Sequence, residues 1–111
     1  MTELERRKQL ADDVLAAFDR LPRATAAALS RALMLLPGPM RGLGDAIDAH
    51  LNGSPELARL QTAYQLRKLA LDADLVERLE GAPEPWASLR RAIEAVGEDE
   101  RAAVLSGSSD R

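Results

Sequence analysis

Proline and glycine interrupt this chain at four places: Pro22, Pro37-Gly38-Pro39, Gly53-Ser54-Pro55 and the stretch from Gly81 to Pro85. Proline removes a backbone donor and clashes with the preceding turn, so none of these points lies inside a regular helix. The stretches between them are dominated by 20 alanines and 19 leucines, 39 of the 111 residues, while valine, isoleucine and threonine are scarce. Alanine and leucine are strong helix formers, and little here favours a strand. The expectation is an all-α, single-domain bundle of five or six helices spanning 1–107, with an unstructured tail at 108–111. A chain of this length buries about two-thirds of its unfolded surface, enough for a core without covalent staples.

The apolar spacing locates the helices. Thr2 and Glu5 form a capping-box pattern ahead of a first helix from Glu3 to Asp19, with Leu4, Ala11, Val14, Leu15 and Phe18 on one face. A second helix, Arg23 to Leu36, carries an apolar ridge of Leu29, Leu33 and Leu36, and its alanines allow a neighbour to approach closely. A shorter third helix lies within 39–51, with Met40, Leu43, Ile47 and Leu51 on one side. Ser54 as N-cap, Pro55 at the first position and Glu56 at the positive end of the dipole start a fourth helix. Its stripe, Leu57, Leu60, Tyr64, Leu71, Leu75 and Leu79, widened by Ala63, Leu66, Ala70 and Ala73, predicts one long helix over about 55–80. That helix is expected to be the central spine, with a bend near residues 71–74. A fifth helix, with Trp86, Leu89, Ile93 and Val96, is expected to end at Gly97, followed by a last turn or two.

Several chemistries are disfavoured. Cysteine is absent and there is one histidine, which removes thiol nucleophiles, disulfides and thiolate metal sites. The charged N-terminus resembles no signal peptide, and no apolar run approaches the ~18 residues of a membrane span. A cytoplasmic protein is therefore expected. Arginine outnumbers lysine 13 to 2, a bias that fits GC-rich coding and a bacterial source. The net charge of −3 and pI near 5.2 give no global attraction to nucleic acid.

The segment 35–55 concentrates unusual residues: four of seven glycines, three of six prolines, and His50 beside Asp45 and Asp48. Helix geometry separates these three side chains. Positions 48 and 50 lie about 200° apart around the axis, and 45 and 50 about 140° apart. No metal site, cofactor site or catalytic set is expected from them. The "GPMRGLGD" stretch lacks the lysine-serine/threonine ending of a phosphate-binding loop and follows a helix rather than a strand. The serines have no base at a useful spacing, and Ser54 is accounted for as a cap.

Residues 26–47, "AAALSRALMLLPGPMRGLGDAI", place Leu29, Leu33, Leu35, Met40 and Leu43 where a helix-turn-helix keeps its core. "RALMLLPGPMRGL" is similar to the R-A-L-G-L-S-P-G-T-V-R-R-L pattern of that motif. The segment resembles a helix-turn-helix over about a fifth of the chain, and departs from it at Met34, Gly42 and Gly44. The resemblance implies a DNA-binding transcriptional regulator with Arg23, Arg31 and Arg41 as candidate contacts. The leading expectation is different: a small protein–protein interaction module, a regulator, adaptor or inhibitor, acting without catalysis. Its partner is another protein, possible homodimerisation included, with nucleic acid less favoured and no membrane contact. Met34, Met40, Arg41, Trp86 and Leu89 are the candidate interface residues, because tryptophan and methionine suit adaptable contact surfaces.

Overall fold

The computed structural model describes residues 2–109, with side chains described as far as residue 105. Six helices follow in order: α1 Glu3–Asp19, α2 Arg23–Met34, α3 Pro39–Leu51, α4 Pro55–Ala70, α5 Ala73–Arg78 and α6 Trp86–Ser109. No strand occurs among the described residues. Local signals set several boundaries as expected. Thr2 Oγ1 accepts a hydrogen bond from Glu5 N at 3.1 Å, and Pro39 and Pro55 open α3 and α4 at their first turns. Gly38, at φ 70°, takes the left-handed turn before α3 that a residue with a Cβ rarely adopts. The Ser54 side chain makes no capping bond.

Helix α4 packs against α1, α3 and α6, while α2 packs mainly on α3. The most deeply buried side chains come from α1 (Val14, Phe18), α3 (Leu43, Ile47), α4 (Leu66, Leu69) and α6 (Leu89, Ile93). Arg6–Asp99 at one end and the Phe18–Trp86 ring contact at the other set α1 and α6 antiparallel. Arg59–Asp12 (2.7 Å) and Arg67–Glu100 (3.0 Å) tie α4 to α1 and α6 across the surface.

Three expectations about the helices are corrected. The predicted spine over 55–80 is two helices. The Asp72 carboxylate accepts from Leu75 N at 3.1 Å and starts α5 as its N-cap, so the chain turns between Ala70 and Ala73. An aspartate that caps a new helix competes with continuing the old one. The longest helix is instead α6, with 24 residues, about 36 Å at 1.5 Å per residue. It runs through Gly97 because glycine costs a helix interior only about 1 kcal/mol, and Asp99 and Glu100 just beyond it pair with Arg6 and Arg67. The helical backbone reaches Ser109; Asp110 and Arg111 of the expected tail lie outside the described residues. Helix α2 ends at Met34, leaving Leu36 exposed rather than on the ridge.

A Cβ built on Gly97 meets nothing within 4 Å. Gly97→Ala should therefore stabilise the protein by about 1 kcal/mol, read as a rise of several degrees in the thermal midpoint. A lower midpoint would show that the glycine has a role beyond the helix.

Candidate interaction surface

The stripe that sequence spacing assigns to the core is split: Ala63, Leu66 and Leu79 are buried, while Leu57, Leu60, Tyr64 and Leu71 face outward. The buried residues of α4 are Ala58, Thr62, Ala63, Leu66 and Leu69. Leu57, Leu60 and Tyr64 are 51%, 48% and 58% exposed, and Leu71 at the end of the helix is exposed as well. At 100° per residue these four positions fall within about 60° of one another on the outer side of α4. Leu4 at the start of α1 adds to them. Leu4, Arg7, Leu60, Gln61, Tyr64 and Gln65 line an open groove of about 470 Å³. Lys68 Nζ lies 4.6 Å from the Tyr64 ring centroid, its stem extending the apolar strip and its charge over the ring face. Scattered exposed leucines are ordinary, but adjacent ones on one helix face form a patch that water covers poorly.

The residues proposed from sequence are dispersed. Leu89 is fully buried and is part of the core; it offers no surface. Trp86 is half-buried, with its ring edge-on to Phe18 at 5.8 Å and 87°, so most of its role is to close the α1–α6 contact. Met34 and Met40 are half-buried, Met40 against the core, and only Arg41 is exposed. These five residues form no common face: Trp86 and Leu89 sit at the α1–α6 end of the molecule, and the others in the α2–α3 unit.

The α2–turn–α3 unit has tight helix packing, and its outer face carries charges of both signs. Arg23 Nη2 donates to Leu51 O at 2.9 Å and caps the C-terminus of α3. Arg31 and Arg41 are exposed. Asp45 and Asp48 lie within about 60° of Arg41 on α3, so two carboxylates share the stripe with one cation. Leu35, expected in the motif's core, is 88% exposed in the turn.

His50 meets neither Asp45 nor Asp48. Its Nε2 shares a 2.7 Å hydrogen bond with Asp19 Oδ1, at the end of α1. Together with Arg23–Leu51, this contact staples the ends of α1, α2 and α3. A separation of 31 residues hid that partner from any reading of local spacing. Among the described residues no group of three or more histidines and carboxylates is arranged to hold a metal ion.

One polar cluster sits at the start of α6. Ser88 Oγ donates to Glu84, and Arg91 Nη2 donates to both Glu84 and Ser88, at 3.2 and 2.9 Å. The hydrogen bond from Ser88, with the guanidinium charges of Arg91 and Arg20 beside it, holds the Glu84 carboxyl below the usual carboxylate range. The cluster fixes the turn that leads into α6.

No protein family, curated protein or solved structure matches this chain. Among the described residues no helix is long and apolar enough to cross a membrane.

Proposed function

We propose that this protein is a protein-interaction module that binds through the outer face of α4. The observation that carries this reading is the contiguous exposed set Leu57, Leu60 and Tyr64, flanked by Leu4. A folded chain with an apolar strip on its surface gains by covering it with a complementary surface, since removing apolar area from water is favourable at about 25 cal/mol per Å². Aromatic and leucine side chains at i, i+3 and i+7 are also the pattern by which one helix presents itself to another. The activity so read is binding, in a regulator, adaptor or inhibitor, without catalysis. The helix-turn-helix alternative draws less support, because Asp45 and Asp48 flank Arg41 and Arg23 is engaged at a helix end.

The test compares affinity capture by the wild-type chain, a Leu60→Asp/Tyr64→Asp variant and an Arg41→Ala control. The wild type and the control should retain the same specific protein, and the α4 variant should lose it by tenfold or more, since a charge placed in a buried apolar contact leaves an unpaired ion. Thermal midpoints should stay close to wild type, as both mutated side chains are exposed. Equal retention by the α4 variant removes the reading, as does a wild type that retains no protein, itself included.

A further inference from the structure

The same α4 face has a charge pattern that matches itself, and the geometry points to a second copy of this chain as its partner. This inference rests on the interaction-module reading and names the occupant of that face. Glu56, in the first turn, and Arg67, near the end, are 11 residues apart. At 100° and 1.5 Å per residue they share one flank of the apolar strip, about 20° apart in angle and about 16 Å apart along the axis. Glu56 and Arg67 are exposed; Arg67 reaches Glu100 on one side, and Glu56 makes no ion pair within 4 Å among the described residues.

In a two-fold pair of antiparallel helices, the same flank of each helix faces the other, and a residue near one end meets one near the opposite end. With the two-fold axis between positions 61 and 62, Glu56 of one copy lies beside Arg67 of the other, twice. The same axis brings Leu60 of one copy within one residue, about 1.5 Å along the axis, of Tyr64 of the other, again twice, with Leu57 and the Lys68 stem outside them. The apolar centre and the opposite-charge rim are thus satisfied by one operation. In a parallel two-fold pair the same flanks lie on opposite sides of the seam, so Glu56 and Arg67 of the two copies would not meet. Antiparallel helices also align their dipoles favourably, with the acidic N-terminus of each next to the basic C-terminus of its partner.

The experiment is sedimentation equilibrium on the full chain at about 1 to 100 µM, a range that covers Kd values of micromolar order. The wild type should be a dimer at the upper end. Glu56→Arg and Arg67→Glu should each weaken self-association about tenfold or more by placing like charges opposite each other. Mixing the two single variants should restore a dimer containing one of each, because both rim pairs are then again of opposite sign. Raised salt should shrink the difference between variants and wild type. Circular dichroism of each variant reports folding separately. A wild type that stays monomeric at the upper concentration overturns the inference, and it leaves the interaction reading standing if a different protein is captured and lost with Leu60→Asp/Tyr64→Asp. A dimer indifferent to both charge reversals, or variants that fail to recombine, overturns the antiparallel α4 pairing.

Discussion

Phe18→Ala should remove about 4 kcal/mol of stability, within the 3–5 kcal/mol usual when a buried aromatic ring is truncated. Phe18 is 1% exposed and sits where α1 meets the start of α6, edge-on to Trp86. Its loss deletes the transfer free energy of the ring and leaves a cavity, since the surrounding structure relaxes only partially. The edge-to-face contact with Trp86 adds about 1 kcal/mol to what is lost. Domains of this size are stable by only about 5–15 kcal/mol, so the variant should unfold at markedly lower denaturant. Trp86 is the sole tryptophan, and its emission reports the transition directly. The native-state spectrum should also shift to the red in the variant, as the indole gains water. Urea titration followed by that emission is the measurement, and a loss below about 1 kcal/mol would contradict the packing described, because truncating a buried Phe to Ala ordinarily costs about 3–5 kcal/mol.

Two neighbouring glycines in α3 should behave in opposite ways. A Cβ on Gly44 would lie 2.8 Å from both Met34 N and Ser30 O and 2.9 Å from Leu33 Cβ. Two of those contacts are backbone of α2, which cannot rotate away. Gly44→Ala should therefore push α3 off α2 and cost about 2–3 kcal/mol, the upper part of the range for overpacking a core. A Cβ on Gly42 would instead meet the end of the Gln65 side chain, at 2.4 Å from Cδ and Nε2. Gln65 is half-buried at the surface and can take another rotamer. Helix propensity favours alanine over glycine by about 1 kcal/mol, so Gly42→Ala should fall within about 1 kcal/mol of wild type. Chemical denaturation of the two variants side by side checks this. Equal effects at both positions would mean that α2 and α3 are not as close as the Gly44 contact requires.

Those two glycines also show how the segment 35–55 works. Its crowding of glycine, proline and histidine suggests a functional loop, yet each feature has a structural cause. Gly38 makes the turn into α3, Pro39 and Pro55 open helices, and Gly44 lets α2 and α3 touch. His50 ties α3 to Asp19. The close approach predicted for α2 occurs at Ser30, Leu33 and Met34 rather than along its alanines, of which only Ala26 is buried, and the glycine that makes it possible lies on α3. Local spacing cannot assign that role, since nothing in the order of residues says which helix a glycine faces.

Helix class and most boundaries follow from composition and from short-range chemistry: proline at first turns, Thr2 as a cap, and the near absence of strand-forming residues. These effects act within three or four positions, so order along the chain determines them. The side of α4 that faces water does not follow in the same way. Leu57, Leu60, Tyr64 and Leu71 form a regular apolar stripe, and so, more loosely, do Ala58, Thr62, Ala63, Leu66 and Leu69. Periodicity alone prefers the first set, because its side chains are larger. Only the joint packing of α1, α3 and α6 around α4 selects the second, whose small residues at 58, 62 and 63 let three helices approach the same face at once. Helix content was therefore decided locally, by backbone and capping chemistry. The exposed surface was decided by steric competition among helices distant in sequence, which left the bulkier stripe outside.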